Sequence, residues 1–127
     1  MIDDMGIFRT TVAVENPARP GVTSEVPNVT VDTGSEYTWL PRTVLEALGL
    51  LPIRTVRFVT ADGRQIERAV SFGNVYAGGS SAPDILVFAD AGDMVLLGAR
   101  ALEGMNLRID ILANQLVPAG PVPAAVV

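Results

Sequence analysis

Carboxylates are the first candidates for chemistry in this sequence, because its 127 residues include neither His nor Cys. That absence excludes a Ser-His-Asp triad, a Cys-His pair and a zinc site built on His or Cys ligands. It excludes disulfide bonds as well. Any acid–base catalysis must therefore use carboxylates, Tyr or bound water.

One carboxylate is notable for its position, in the stretch VTVDTGSEYTWLP at residues 29–41. Val29, Thr30 and Val31 have the β-branched character of a strand, and Asp32 follows directly at its end. A lone buried carboxylate is costly unless it is paired or protonated, and no cation lies nearby in the sequence. We therefore expect Asp32 to have a partner or a catalytic task.

The elements that position Asp32 are predicted to be short strands. Residues 7–16 and 23–31 alternate around a turn rich in Pro and Gly, which indicates a hairpin, and a second hairpin is predicted at Asp62-Gly63. The other predicted elements are a helix that begins near Pro41 and stops at Gly49, strands at 84–89 and 94–98, a helix at 99–104, and two terminal strands that turn at Ala113-Asn114. Seven to nine strands and two short helices predict an all-β fold with a closed or folded-over sheet.

Composition and charge narrow the functional classes. Apolar residues make up 49% and charged residues 18%, a core-forming composition that excludes a disordered or fibrous chain. The net charge of −5 and the scattered Arg residues argue against binding to nucleic acid. The N-terminus is acidic where a secretory signal is basic, and the most apolar window, 84–99, is interrupted by acids and too short to span a membrane. These features predict a cytoplasmic protein with no membrane partner.

The domain organisation is predicted to be simple. A chain of this length supports one core, so we expect a single domain over residues 1–117. Residues 118–127 contain three Pro and no polar side chain, and are expected to form a tail that is either mobile or a contact arm.

Residues 31–35, Val-Asp-Thr-Gly-Ser, resemble the active-site turn of the aspartic proteases, in which a hydrophobic residue and Asp-Thr-Gly-Ser/Ala follow a strand. The continuation Trp39-Leu40-Pro41 is similar to the pepsin type. Three further marks come in the family's order: Asp62-Gly63 where the flap hairpin belongs, the triplet Leu96-Leu97-Gly98, and a helix from Ala99. Since only one such turn fits this length, the chain resembles the single-domain, retropepsin-like members found in retroviruses, bacteria and archaea, which are homodimers.

The resemblance implies a homodimeric aspartic endopeptidase of closed, barrel-like β fold that needs no cofactor and no metal. Asp32 from each copy would form a dyad that shares one proton and activates water for attack on a peptide bond. Gly34 would let the two loops approach, and Thr33 would reach across the axis with its hydroxyl. The residues expected to contact the peptide or protein substrate are Ser35, Glu36, Ala61, Asp62, Gly63 and Leu96. Ser35 is also expected to donate a hydrogen bond to the outer oxygen of Asp32.

Two departures from the family pattern leave alternatives open. Ala99 stands where retroviral members have Arg, and Arg100 comes one residue later, which predicts a pair between Arg100 and Glu36. The Pro-rich tail is a poor strand former for an interleaved dimer. A catalytically inactive module of the same fold that binds peptides or dimerises, and an unrelated barrel that binds a small ligand, therefore remain alternatives.

Several of these residues also have ordinary structural interpretations. Asp32-Thr33-Gly34 could be a simple turn, Leu96 could belong to the core, and Trp39 is interpreted as a packing residue rather than a chemical one. Asp90 and Asp93 are interpreted as solvated acids, because their spacing is not that of a calcium loop.

Overall fold

The computed structural model describes residues 7–125, and this part of the chain contains nine strands and two short helices. The first six residues of the predicted domain and the last two of the predicted tail lie outside the described residues. In chain order the elements are β1 (Arg9–Glu15), β2 (Thr23–Val31), β3 (Thr38–Pro41), α1 (Arg42–Ala47), β4 (Arg54–Val59), β5 (Gln65–Ala77), β6 (Ser80–Ala89), β7 (Leu96–Leu97), α2 (Ala99–Met105), β8 (Leu107–Asp110) and β9 (Gln115–Pro118). The predicted all-β class is confirmed.

Seven of the strands form one sheet, in the order β1-β2-β7-β3-β6-β5-β4. β1 also pairs with β5 through Ala13, Val14 and Glu15, so the ladder of hydrogen bonds returns to its first strand and only β4 extends beyond it. The remaining strands, β8 and β9, pair separately as an antiparallel hairpin. This folding-over of the sheet is the arrangement that the sequence predicted.

The core lies inside the folded sheet and is built from residues that alternate along the strands. In β1, Val12 and Val14 are fully buried, and in β2 the same holds for Val29. This period-two pattern fits a strand with one face toward the core. β6 differs because Leu86, Val87, Phe88 and Ala89 are all buried in succession. That run is covered on both faces, as its continuous apolar sequence predicted.

Several strands differ from the sequence-based expectation, and β7 is limited to Leu96–Leu97 instead of residues 94–98. β3 was not predicted, since its four residues include Pro41 and show little periodicity; it forms because β6 and β7 hydrogen-bond to its two edges. β6 begins at Ser80 rather than at 84, because Gly78 and Gly79 both adopt a positive φ and turn β5 directly into it. Pairing across the sheet, rather than local pattern, extends β3 and β6.

The start of the predicted tail is attached to the fold. The backbone N–H of Ala119 donates to the C=O of Asn106 at 2.8 Å, and the side-chain amide of Asn106 donates to the C=O of Gly120 at 2.7 Å. Asn106 ends α2 in the left-handed conformation, with φ of 54°. The boundary between domain and tail at residue 117 stays a prediction.

Glu15 closes the sheet at the junction of β1, β5 and the turn that follows β1. Its carboxylate accepts hydrogen bonds from the Asn74 amide (3.0 Å), the Tyr76 hydroxyl (2.9 Å) and the Gly21 N–H (2.8 Å). These three donors lower the pKa of Glu15, with Asn74 contributing most. The charged form of this carboxylate is therefore part of what holds the closed sheet together.

We expect Glu15→Gln to reduce the loss of thermal stability that the protein shows as the pH is lowered. Because the pKa of Glu15 is lower in the folded protein, its stabilising effect is complete above the ordinary value of 4.5 and is lost as the pH falls through the folded value. Thermal midpoints of the wild type and Glu15→Gln should therefore differ most at about pH 6 and converge toward about pH 3. A constant difference over that range would contradict this assignment.

Candidate active site

The loop after β2 holds Asp32 at the surface in a defined orientation. Asp32 is half-buried, while Thr33 and Gly34 are exposed. The N–H of Gly34 donates to Oδ1 of Asp32 at 2.9 Å, and the N–H of Ser35 donates to the C=O of Asp32 at 3.2 Å. The first of these bonds fixes one oxygen of the Asp32 carboxylate.

The main chain of this loop is bound to the end of β7 and the first turn of α2. Asp32 N–H donates to the C=O of Leu97 at 3.0 Å. In the opposite direction, the N–H groups of Ala99 and Arg100 donate to the C=O groups of Ser35 (2.7 Å) and Glu36 (3.2 Å). The first N–H groups of a helix have no partner within the helix, so α2 supplies donors that this loop satisfies.

Gly98 allows this close approach. A Cβ atom added at Gly98 would lie 2.4 Å from the C=O oxygen of Tyr37 and 2.8 Å from that of Glu36. Real Cβ atoms do not come so close to backbone oxygens, and both oxygens belong to main chain that cannot rotate away. The Gly of the Leu96-Leu97-Gly98 triplet is therefore required by packing against the Asp32 loop.

The structure differs from two expected side-chain contacts in this loop. The hydroxyl of Ser35 donates to the C=O of Tyr37 at 3.1 Å rather than to Asp32, whose neighbouring donor is the N–H of Gly34. Glu36 and Arg100 touch through their main chains, and the ion pairs among residues 7–125 do not include them. The missing pair follows from the position of Arg100 one residue further along α2, where its side chain is exposed.

The hairpin of β4 and β5 covers the side of the sheet where Leu96 lies. Leu97 belongs to the core. Leu96 is its neighbour in an extended strand, so the Leu96 side chain faces the other side of the sheet, where Trp39 of β3 is its cross-strand partner. Phe58 of β4 packs on Trp39 with ring centroids 4.9 Å apart, and on Tyr37 edge-to-face at 5.9 Å. Trp39 is thus a packing residue, as interpreted, and joins the hairpin to the strand that follows the Asp32 loop.

The tip of this hairpin is held by local hydrogen bonds. Thr60 and Arg64 pair through Thr60 N–H at 2.8 Å, Gly63 takes a φ of +85°, and Ala61 is exposed. The carboxylate of Asp62 contacts the Thr60 hydroxyl and pairs with Arg64 at 3.0 Å. The Thr60 hydroxyl and the N–H groups of Arg64 lower the pKa of Asp62. Asp62 and Gly63 therefore form the predicted turn, and their contact with substrate stays a prediction.

The base of the hairpin is bound to the loop between β6 and β7 by an ion-pair cluster. Arg68 donates to both oxygens of Asp93, at 2.7 and 3.0 Å, and lies 3.3 Å from Asp90, which also pairs with Arg42 at 3.0 Å. The hydrogen bonds from Arg68 lower the pKa of Asp93. The interpretation of Asp93 as a solvated acid was wrong, because the sequence does not reveal that β5 brings Arg68 to this loop; Asp90 is paired but remains exposed, as expected.

We expect Arg68→Gln to destabilise the protein by about 2 kcal/mol, the usual loss when hydrogen bonds to a partly buried charge are removed. Only 18% of the Arg68 side chain and 14% of the Asp93 side chain are exposed, so water cannot replace the lost bonds. Arg57 of the same hairpin is the matched control, since its pair with Glu67 is 66% and 59% exposed. Arg57→Gln should change the unfolding free energy by less than about 0.5 kcal/mol in denaturant titrations; equal effects of the two changes would contradict the prediction.

Comparison with known proteins identifies the family. The sequence profile described as "Aspartyl protease" matches residues 21–101, which include the Asp32 loop, the β4–β5 hairpin and the start of α2. The chain belongs to the aspartyl protease family. Its enzyme class is accordingly that of an aspartic-type endopeptidase, as the sequence predicted. None of the curated proteins matches the chain at a significant level.

A solved structure supports the fold of this aspartyl protease. The solution structure of the simian foamy virus (mac) protease superposes with a TM-score of 0.50 and covers 75% of this chain and 91% of that one. The two sequences are 18% identical, so the likeness concerns the fold alone. The retropepsin-like fold expected from the sequence is confirmed.

Two features of this site were missed by the sequence analysis. Phe58 gives no local signal of its aromatic neighbours, because they come from β3 and the preceding loop. Thr38 is fully buried although its position in the sequence is unremarkable.

Among residues 7–125, no helix is long and apolar enough to cross a membrane.

Proposed function

We propose that this aspartyl protease is a homodimer in which Asp32 of each copy forms one half of the catalytic dyad. The observation that carries the proposal is how the Asp32 loop is held and what its carboxylate contacts. Its main chain is fixed by Leu97 and α2, yet its carboxylate is half-exposed and belongs to none of the ion pairs among residues 7–125. An acid whose main chain is held in this way, and for which residues 7–125 supply no ion-pair partner, is suited to meet a second copy of itself.

Two such carboxylates at a two-fold axis cannot both ionise, so they share a proton. The ionised member takes a proton from a water molecule held between them, and the protonated member donates to the carbonyl oxygen of the scissile peptide bond. Water attacks that carbonyl carbon to give a tetrahedral intermediate. The intermediate breaks down when the peptide nitrogen leaves with a proton. No covalent bond to the enzyme forms, which suits a chain without Cys or His.

The neighbours of Asp32 support this role in different ways. Gly34 holds Oδ1 through its N–H, and a Cβ at this position would lie 3.1 Å from that oxygen. Thr33 is exposed beside Asp32, where its hydroxyl would bond the loop of the second copy. A preorganised carboxylate needs little rearrangement as the reaction proceeds.

Substrate would bind as an extended strand between the β4–β5 hairpin and the Asp32 loop. Backbone hydrogen bonds would hold the peptide, and side chains on alternate positions would enter pockets. The half-buried face of the hairpin carries Val56 and Phe58 on β4, with Ile66 opposite Phe58 and Arg68 opposite Val56 on β5. Leu96 and the exposed tip at Ala61, Asp62 and Gly63 are the proposed contacts on either side of the peptide. Closure of the hairpin would exclude bulk water from the dyad.

The proposal is tested by digestion of a broad peptide library from mildly acidic to neutral pH, together with the mass in solution by sedimentation. A dimer that cuts peptides is the expected result. A dimer that binds peptides without cutting them would favour the inactive module. A monomer at every workable concentration would overturn the proposed dyad, since half of the site would be missing.

A further inference from the structure

A buried acid on β6, Asp84, is connected through Thr38 to the peptide group that binds the Asp32 loop. Asp84 of β6 is only 6% exposed, although charged side chains are seldom buried to this extent unless they are paired. Its Oδ2 accepts a hydrogen bond from the hydroxyl of Thr38 at 2.6 Å, and its Oδ1 accepts from the N–H of Ile85 at 2.8 Å. Both carboxylate oxygens are therefore used as acceptors.

The hydroxyl of Thr38 is held in one orientation by this contact. A hydroxyl has a single proton, and here it is donated to Asp84. The oxygen of Thr38 then presents a lone pair to the N–H of Gly98, which donates to it at 3.1 Å. Thr38 is itself completely buried, so no water competes for either bond.

The peptide unit that receives this contact also binds the proposed catalytic residue. The N–H of Gly98 and the C=O of Leu97 belong to the same planar peptide group and point in opposite directions. Thr38 binds the N–H side, and the N–H of Asp32 donates to the C=O side at 3.0 Å. A tilt of this plane would therefore move the main chain of Asp32.

We propose that Asp84 is a positioning residue for the active site, which acts through Thr38 to fix the Leu97–Gly98 peptide plane and with it the backbone of Asp32. The proposal rests on the proposed function in so far as it concerns catalysis. The path of hydrogen bonds from Asp84 through Thr38 and the Leu97–Gly98 peptide to Asp32 lies within one chain and does not depend on the dimer.

The electrostatic surroundings of Asp84 fit a functional role better than a stabilising one. Burial raises the pKa of Asp84, and the Thr38 hydroxyl, the Ile85 N–H and the charge of Arg100 oppose that effect only in part. Keeping a carboxylate here costs desolvation that an uncharged side chain would avoid. The carboxylate provides two oxygens that each accept a hydrogen bond, whereas an amide of the same shape has only one oxygen.

Three variants test the proposal. Asp84→Asn keeps the shape but removes one acceptor, and Thr38→Val keeps the shape but removes the hydroxyl. Thr38→Ser retains the hydroxyl and is the matched control. For each variant kcat and KM are measured on a library peptide that the wild type cuts, and the exchange rates of the Asp32 and Gly98 amide protons are measured by NMR.

Asp84→Asn and Thr38→Val are expected to lower kcat by about 10- to 100-fold, as small misplacements of reacting groups do, with KM nearly unchanged. The Asp32 and Gly98 amides should exchange at least about tenfold faster, while amides of the β1–β2 ladder keep their rates. Thr38→Ser should resemble the wild type in both measurements. If Asp84→Asn does not fold, the comparison of Thr38→Val with Thr38→Ser decides the role of the path.

Wild-type kcat in Asp84→Asn, or in Thr38→Val, would overturn the positioning role, and unchanged exchange at Asp32 and Gly98 would overturn the path. If the wild type cuts no peptide, the proposed function fails, and the exchange rates alone then decide whether Asp84 holds the Asp32 backbone.

Discussion

Asp32→Asn is expected to abolish peptide cleavage while the fold and the dimer persist. An amide can neither take a proton from water nor share one with the opposite carboxylate, so general acid–base catalysis is lost, a decrease on the order of 10²–10⁴-fold in kcat. The fold should tolerate the change because Asn has the same shape and its Oδ1 can still accept the Gly34 N–H at the position of the 2.9 Å bond. The measurements are the rate of peptide cleavage, the thermal midpoint and the sedimentation mass.

The matched control for this change is Glu25→Gln, which neutralises an exposed acid on β2, the strand that directly precedes Asp32. It lowers the negative charge equally but lies at the other end of β2, so cleavage should continue at the wild-type rate. Cleavage retained by a clean preparation of Asp32→Asn would be incompatible with a dyad at this residue.

Gly98→Ala should cause the largest loss of stability among the substitutions considered, about 3 kcal/mol or more. The added methyl would lie 2.4 Å from the C=O oxygen of Tyr37 and 2.7 Å from its carbon, so the loop of Asp32 and the start of α2 must separate. That separation would also stretch the bonds that Ala99 and Arg100 donate to the loop. Denaturant titration gives the loss of stability, and cleavage by the fraction that stays folded should fall as well.

Gly104→Ala is the appropriate comparison, since it makes the same change near the end of the same helix. Its Cβ would lie 3.0 Å from the Cβ of Ala82, a contact with one side-chain methyl rather than with main chain. Ala also favours the helix over Gly, so the net effect should stay within about 1 kcal/mol. If Gly98→Ala were as well tolerated as Gly104→Ala, the close packing of the loop on α2 would not be essential.

Local features of the sequence predicted the parts of this fold that short-range physics controls. The turn at Asp62-Gly63, the strand at residues 23–31 and the helix from Ala99 each follow from periodicity and turn residues, and each is present. The candidate catalytic loop could be found in the same way, because an acid directly after an apolar strand is unusual and because residues 31–35 resemble a known active-site turn. The sequence around Asp32 predicted that this residue is catalytic, and the Asp32→Asn variant tests that role.

Interactions between distant segments could not be predicted in this way. β3 carries no clear strand pattern and exists because β6 and β7 bond to its two edges. Arg68 and Asp93 are 25 positions apart, and Thr38 and Asp84 are 46 apart, so no local pattern pairs them. The same is true of Ser35, whose hydroxyl was expected at Asp32 and instead meets Tyr37.

The sequence by itself therefore determined the fold class, the enzyme family and the acid at the end of β2, because each depends on residue types and short spacings. Only the tertiary structure decided how that acid is held. The folding of the sheet brings Leu97, Gly98 and Thr38 against its loop and sets Asp84 behind them, and these contacts depend on the packing of strands that are far apart in the chain.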